Sequence, residues 1–266
     1  MNKLLFAGTS SARPIYGRFS CSTVIYTNNN EDLYLIDCGE GITNVLTQMQ
    51  VPLDKIRGVI ITHSHADHSS GIAGFIHSVI FATQRDLTVV APKGIQKVIN
   101  ALFEYCCETV PQQIKFIDLS DTEITSFSLK NTHFISVPIP HHPRSCGHGI
   151  ICQTKYENET KTVVFTGDTS DSTDLINYTC QNGISVDVFI HECTFPKELG
   201  DAAKKWGHST PIDIIHVLPI LKPKECVIHH FSTKLTTSTI NEFAEDIQKE
   251  TNIKTTSAFD GMVLEY

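Results

Sequence analysis

Short apolar runs recur along the whole chain, and they predict a protein rich in β-strands. In Gly58–Thr62, for example, three branched apolar residues are consecutive, as in a buried strand. The lengths of these runs and the turn residues between them favour strands over helices. The predicted strands are Lys3–Ala7, Ser22–Thr27, Asp32–Asp37, Gly58–Thr62, Leu87–Val90, Ile114–Leu119, Ile124–Leu129, Thr132–Ile139, Gly149–Thr154, Thr162–Thr166, Val186–Ile190, Glu225–His229 and Met262–Glu265.

Helical periodicity is confined to four stretches, at about 71–84, 94–108, 211–221 and 238–249. Each begins near a capping or turn residue, and Pro211 stands where a first helical turn tolerates proline. Many strands with few interspersed helices predict an α/β fold of two packed sheets with helices outside. No segment rich in Gly, Pro or Ser divides the chain, so we expect a single domain over residues 1–266.

Composition narrows the class of protein only modestly. The chain has 266 residues, of which 41% are hydrophobic, and a formal charge of −8. This balance argues against a general nucleic-acid coat protein but leaves a local basic patch open. Nine cysteines without Cys-x-x-Cys spacing indicate reduced thiols in a reducing compartment. The apolar stretch at the N-terminus is too short for a signal peptide and no run reaches membrane-spanning length, so we expect a cytoplasmic protein without membrane contact.

Polar residues follow many of the predicted strands in both halves of the chain, which suggests a site built by loops along one edge of a sandwich. These residues are Asp37, His63, His141, Asp168, His191 and His230.

The richest cluster is Thr62-His-Ser-His-Ala-Asp-His-Ser-Ser-Gly71. His63 and His65 are two residues apart in an extended segment, so both can bind one ion. Asp67 and His68 fall where the chain turns into a helix and can serve a second ion. Nitrogen and oxygen ligands suit zinc or a similar ion, and two adjacent metals are a known device for hydrolysing phosphodiesters. The alternative is a polar surface loop that happens to contain histidines.

Other segments can complete such a site. One histidine of the pair His141-His142, and one of His229-His230, can each supply a ligand. Asp168 can bridge two cations through its two oxygens, although Gly-Asp is also common in turns.

Three further residues suggest supporting roles. The His191-Glu192 pair can orient ligands by hydrogen bonds. Ser209 or Thr210 would cap the following helix, whereas His208 has no such structural explanation and is a candidate proton donor. The histidines without this context are interpreted as ordinary surface or core residues: His77, His133, His148 and His216.

These motifs resemble the metallo-β-lactamase superfamily and, within it, the ribonuclease Z-like branch. His-x-His-x-Asp-His is typical of the superfamily, whereas His-Glu-x-Thr-Phe together with His-Ser-Thr is typical of the branch. The matching segments run nearly end to end: Gly8-Thr-Ser-Ser-Ala-Arg-Pro, Arg18-Phe-Ser, Asp37-Cys-Gly-Glu-Gly, Thr62-His-Ser-His-Ala-Asp-His-Ser-Ser-Gly-Ile, Gly167-Asp-Thr, His191-Glu-Cys-Thr-Phe, Gly207-His-Ser-Thr and His230-Phe-Ser.

The resemblance implies an αββα sandwich with two mixed sheets and a binuclear centre, normally of zinc, with Mn²⁺ or Fe²⁺ as alternatives. It assigns His63, His65 and His141 to one metal and Asp67, His68 and His230 to the other, with Asp168 between them. His141 is chosen because the family's ligand lies six residues before a Gly-aromatic pair, and Gly147 has that spacing. His230 is chosen because it directly precedes Phe-Ser.

Two departures from the family concern the substrate. The flexible arm that grips tRNA in the bacterial enzymes would lie between Gly149 and Thr166, where this chain has no room for it. Thr233-Lys234-Leu235 replaces the usual Arg-Tyr after the last motif. We therefore keep two phosphodiester substrates open, precursor tRNA and a small or cyclic-nucleotide phosphodiester.

The resemblance also implies a mechanism. Asp67 would orient the attacking water or take its proton, and His208, positioned by Glu192, would protonate the leaving oxygen. An acyl or lactam hydrolase on the same fold, and a metal-binding protein with a degenerate site, are weaker alternatives. The family often forms dimers, but the sequence does not establish a homodimer here.

Overall fold

The computed structural model describes residues 2–83, 85–142, 145–156 and 159–266, which contain fourteen strands and eight α-helices. The strands are β1 Lys3–Gly8, β2 Ser22–Thr27, β3 Asp32–Ile36, β4 Ile56–Ile60, β5 Leu87–Pro92, β6 Ile114–Leu119, β7 Thr125–Leu129, β8 Thr132–His142, β9 Ser145–Tyr156, β10 Glu159–Phe165, β11 Val188–Glu192, β12 Glu225–His229, β13 Thr255–Ser257 and β14 Val263–Glu265. The helices are α1 Ile42–Gln48, α2 Ala66–Ser69, α3 Ile72–Thr83, α4 Ile95–Tyr105, α5 Thr173–Gln181, α6 Gly200–Trp206, α7 Pro211–Leu221 and α8 Thr237–Thr251.

All thirteen predicted strands and all four predicted helices are present. The predicted bounds are confirmed for β2, β6, β12 and α7, and the ends of the others are shifted. Residue 84, the predicted end of one helix, lies outside the described residues. The sequence patterns missed β13 and four helices, α1, α2, α5 and α6. β13 is the three-residue segment Thr-Thr-Ser, which carries no hydrophobic alternation and is a strand only because it pairs with β12. The missed helices span four to nine residues, too few for the helical period to be distinguished.

The strands form two seven-stranded sheets of similar construction. The first has the order β14-β1-β2-β3-β4-β5-β6 and the second the order β13-β12-β11-β10-β9-β8-β7. In each sheet four strands are joined by antiparallel pairings and the rest by parallel pairings, so both sheets are mixed, as predicted. β6 ends the first sheet and β7 begins the second, so the connection between them crosses from one sheet to the other.

Three apolar clusters bury the faces of these sheets. Leu4 and Phe6 of β1 face the layer between the sheets, whereas Leu5 and Ala7 face outward against α1, α3 and α4. This alternation follows from the period of two along a strand. The outer face of the second sheet packs against α5, α7 and α8. The result is the predicted αββα sandwich. Within the described part of the chain, no helix is both long and apolar enough to cross a membrane.

A hydrogen bond between the sheets suggests a test of this packing. The Tyr34 hydroxyl on β3 donates to the carbonyl of Leu129 at the end of β7, at 2.6 Å in a buried environment. Tyr34→Phe removes the donor and leaves a buried acceptor, so we expect a loss of about 1–3 kcal/mol in the free energy of unfolding measured in urea. Tyr105→Phe, at a residue that is 85% exposed, is the matched control and should change it by less than about 0.5 kcal/mol. Equal stability of the two variants would contradict a role for this bond.

Candidate metal centre

Three imidazoles converge on one point at the ends of β4 and β8. His63 Nε2 lies 3.1 Å from His65 Nδ1, and His141 Nε2 lies 3.0 Å from the same atom. His63 and His65 lie in the bent connection between β4 and α2, not in the extended segment that was predicted, and His141 is near the end of β8 in the other sheet. Two sheets therefore contribute to one group of nitrogen donors.

A second group lies beside the first. His68 Nε2 is 3.1 Å from His230 Nε2, and Asp67 Oδ2 is 3.5 Å from each of these nitrogens. Asp67 and His68 lie in the four-residue helix α2, and His230 follows β12. His230 has the left-handed backbone conformation, with φ of 58°, which costs energy for a residue with a side chain and often occurs at functional sites.

Asp168 lies between the two groups. Its Oδ2 is 3.6 Å from His63 Nε2 of the first group, and 3.4 and 3.3 Å from His68 Nε2 and His230 Nε2 of the second. The residue is 2% exposed and is the third residue after the end of β10. One carboxylate oxygen is thus within reach of both groups.

The far nitrogens of the histidines are held by oxygen acceptors. His68 Nδ1 donates to Asp37 Oδ2 at 2.8 Å, and His141 Nδ1 donates to the Gly207 carbonyl at 2.7 Å. His230 Nδ1 lies 2.8 Å from the Thr194 hydroxyl. Such bonds fix the tautomer and leave a lone pair on the nitrogen that faces the centre, as in known metal sites.

The charge state of the first group and of Asp168 suits cations. Burial lowers the pKa of His63, His65 and His141, which keeps these imidazoles neutral. Burial alone would raise the pKa of Asp168, but the adjacent His230, His68 and His63 hold it well below its usual range. Neutral imidazoles and ionised carboxylates are the forms that bind metal. Burial alone would lower the pKa of His68, but Asp168 and Asp37 raise it well above its usual range, so this imidazole must release a proton to bind metal.

The donor spacing also fits a metal ion. Nitrogens bound tetrahedrally to zinc at 2.0–2.1 Å would be about 3.3 Å apart, and those of His63, His65 and His141 are 3.0–3.1 Å apart in two of the three pairs. A cation placed among these nitrogens would be bound by their lone pairs, as zinc is by histidine in known sites.

The structure also separates the two ambiguous histidine pairs. The His142 ring is beside the first group, with its centroid 5.8 Å from that of His65, whereas His141 Nε2 lies 3.0 Å from His65 Nδ1. His229 lies in the core, and its Nδ1 contacts the Cys21 sulfur at 3.2 Å. The geometry therefore favours His141 and His230.

Glu192 connects the centre to His208. Its Oε1 accepts from Ser209 N at 2.8 Å and lies 3.1 Å from His208 Nδ1, while its Oε2 accepts from the Thr194 hydroxyl at 2.7 Å. Burial alone would lower the pKa of His208, but the Glu192 carboxylate outweighs it and raises the pKa to about 9. The His208 side chain is 14% exposed and 3.9 Å from Asp168 Oδ2, so a protonated imidazole borders the centre.

His191 and the residues after His208 have structural roles. His191 is buried, and its Nδ1 donates to the Glu192 carbonyl at 2.7 Å while its Nε2 contacts the Ser172 hydroxyl. Thr210 is the N-cap of α7 and forms a capping box with Asp213. Ser209 donates its hydroxyl to the Thr169 carbonyl.

Comparisons with known proteins agree with this fold. The family described as Anti-Pycsar protein Apyc1 matches residues 2–250, which is most of the chain. The chain belongs to this family. A ribonuclease Z from Ignicoccus hospitalis is 27% identical over 242 residues, which cover 75% of this chain and 78% of that protein. A ribonuclease Z from Macrococcus caseolyticus is 24% identical, with 97% of both chains covered.

A solved structure, the short form of human tRNase Z, has 23% identity and a TM-score of 0.78 with coverage of 99% of this chain and 98% of that one. These relatives confirm the predicted ribonuclease Z-like member of the metallo-β-lactamase superfamily, and with it a metal-dependent hydrolase.

Sequence reasoning missed what supports the ligands. It noted Asp37 as a strand end but not as the acceptor for His68, and it gave no role to Thr194 or to the Gly207 carbonyl. Asp37 and Thr194 do fall inside motifs that carried the family resemblance, and this position was the available signal. A backbone carbonyl leaves no signal in the residue type.

The close approach of Gly207 to His141 can be tested by substitution. Gly207 has φ of +77°, and a Cβ there would lie 2.2 Å from the His141 carbonyl oxygen. Gly183 has φ of +62° but nothing within 4 Å of a Cβ, so Gly183→Ala isolates the backbone cost of about 1–2 kcal/mol. Because overpacking adds about 1–3 kcal/mol, we expect Gly207→Ala to be the less stable of the two in thermal and urea unfolding. Equal losses of stability in the two variants would contradict the close approach of Gly207 to the His141 backbone.

Proposed function

We propose that this chain hydrolyses phosphodiesters at a centre of two divalent cations, zinc in the first instance, with Mn²⁺ or Fe²⁺ as alternatives. His63, His65 and His141 would hold one ion, Asp67, His68 and His230 the other, and Asp168 would bridge them. The observation that carries the proposal is the position of Asp168 Oδ2, within 3.3–3.6 Å of nitrogens from both groups. A bridging carboxylate flanked by imidazoles on both sides is a common plan for hydrolytic two-metal centres.

The cations would supply an activated water and neutralise the charge that develops on the phosphoryl oxygens. Asp67 is positioned to orient this water or accept its proton, because its Oδ2 is fixed by the backbone N–H of Ala12 at 2.6 Å. His208 would protonate the leaving oxygen, since Glu192 holds its imidazole in the protonated form beside Asp168. Glu192 is a positioning residue, because it acts on the reaction through His208 and, by way of Thr194, through His230.

Precursor RNA is the first candidate substrate. The relatives named ribonuclease Z and tRNase Z align with nearly all of this chain, which supports cleavage of precursor tRNA. We also propose that the protein acts in the cytoplasm and as a single domain.

A specific observation favours a second candidate, a small or cyclic-nucleotide phosphodiester. β9 and β10 pair in register as far as Tyr156 and Glu159, so only two residues separate the paired strands. The tRNA-gripping arm of the bacterial enzymes would occupy this connection. Without it the chain has less surface for a long substrate, whereas a small phosphodiester needs only the centre itself.

Separate variants distinguish metal binding from proton donation. Asp168→Ala should reduce both metal content and hydrolysis, because it removes the group shared by the two ions. His208→Ala should keep the metal and lower turnover by roughly 10²–10⁴-fold, the usual contribution of a general acid. Elemental analysis and turnover of bis(p-nitrophenyl) phosphate measure the two effects. His133→Ala, at a histidine on the far part of β8, is the control and should alter neither.

Full turnover in the His208 variant would refute the proton-donor role while leaving the metal centre intact. Retention of both metals in Asp168→Ala would refute the bridge.

The two substrate classes differ in their response to salt. We expect cleavage of precursor tRNA to weaken steeply as salt rises, since each phosphate contact releases counterions. Hydrolysis of a cyclic nucleotide or of bis(p-nitrophenyl) phosphate should change much less. The measurement is kcat/KM for each substrate across a salt series with saturating metal. Efficient hydrolysis of the small substrate with no precursor cleavage would replace the first candidate by the second.

A further inference from the structure

Outside the centre, three side chains of metal-binding type lie together. The ligand atoms of Asp121, Cys146 and His148 are all within 4.8 Å of one another, and His148 Nε2 is 3.7 Å from Asp121 Oδ1. Asp121 is in the connection between β6 and β7, and the other two residues are at the start of β9. The group therefore joins residues far apart in the sequence.

His148 is the most informative member. It is fully buried, and its Nδ1 contacts the Ser136 hydroxyl at 3.1 Å. Its Nε2 is buried without a hydrogen-bond partner among the described residues, although it faces the Asp121 carboxylate. A buried polar atom without a partner is costly and is uncommon in folded proteins. Burial lowers the pKa of His148 to about 4, so the imidazole is neutral and can offer a lone pair.

Cys146 completes the group with a sulfur donor. The thiol is partly buried, and three carbonyl oxygens surround it, those of Asp121 at 3.5 Å, Gly147 at 3.4 Å and Ile139 at 4.0 Å. These oxygens form a negative environment that would stabilise a cation bound to the sulfur. Asp121 is largely exposed, so it can shift by the short distance that coordination requires.

We propose that Asp121, Cys146 and His148 form an additional site for one divalent transition ion, zinc or an ion of similar softness, with water completing the coordination. Nitrogen, sulfur and oxygen donors together are typical of zinc ligation, whereas magnesium and calcium prefer oxygen alone. The thiol distinguishes this site from the candidate catalytic centre, which has only nitrogen and oxygen donors.

The position of the site predicts its effect. Side chains of β9 alternate, so His148 faces the layer between the sheets together with Ile150 and Cys152. An ion bound there would link Asp121, in the connection between the two sheets, to β9. β9 also carries Gly147, which packs against the backbone of Asp168. The site would then stabilise the fold rather than take part in hydrolysis.

Cobalt provides a direct test, because thiolate ligation gives a sulfur-to-cobalt charge-transfer band that nitrogen and oxygen ligands do not. The chain is stripped with a chelator and titrated with Co²⁺ in a Cys106→Ser, Cys107→Ser background, which removes the exposed adjacent pair of thiols. We expect a band that saturates at one ion per chain and disappears in Cys146→Ser. Asp121→Asn should raise the half-saturating cobalt concentration by at least about tenfold.

Cys180→Ser, at another exposed cysteine, is the matched control and should leave the band unchanged. Asp168→Ala should also retain it, so failure of the catalytic centre and failure of this site give different results. Absence of the band in the parent protein, or its persistence in Cys146→Ser, would overturn the proposal. Circular dichroism of each variant shows that a lost band reflects a lost ligand and not unfolding.

Discussion

The crowding of ligand groups around Asp168 is the constraint on which the rest of the structure depends. Two groups of donors meet at one buried carboxylate oxygen, with separations of 3.0–3.6 Å. Such a concentration of lone pairs and negative charge opposes folding unless positive charge, from protonated imidazoles or from bound cations, balances it. The chain must therefore hold the site rigidly before metal binds, or bind metal as it folds. In either case metal binding contributes to the stability of the folded state.

The two sheets provide this rigidity because the ends of interior strands from both sheets meet at the site. β4 leads into His63 in one sheet, while β10 and β12 lead into Asp168 and His230 in the other. Hydrogen bonds behind the ligands then fix the rings. Asp37 accepts from His68, and a series of hydrogen bonds runs from His230 through Thr194 and Glu192 to His208. Since one buried carboxylate supports both a candidate metal ligand and the candidate proton donor, orientation of the metal centre and protonation of His208 are physically coupled.

Much of this arrangement was predictable because its chemistry repeats at strand ends. Short apolar runs identified the strands, and residues such as His63 and Asp168 lie within three positions of the strand ends. The missed elements have another origin: β13 exists only through its pairing with β12, and α1 is too short to show periodicity. Choosing between His229 and His230 required three-dimensional structure or a family motif, because both are buried and only the direction of the ring differs. His148 was interpreted as ordinary since its partner Asp121 is distant in sequence.

β9 connects the features that set this chain apart. At one end it joins β10 through a two-residue connection, in place of a long insertion. Near its other end Gly147 packs against the backbone of Asp168, so closely that a Cβ would come within 2.8 Å of the Asp168 carbonyl oxygen. The next residue, His148, faces the opposite side of the strand and the Asp121 carboxylate. Because adjacent residues of a strand move together, restraint at His148 would limit movement of Gly147 and so of the Asp168 backbone that packs against it. An ion at Asp121, Cys146 and His148 would therefore stabilise the part of the fold that holds the candidate metal ligands, without contacting them.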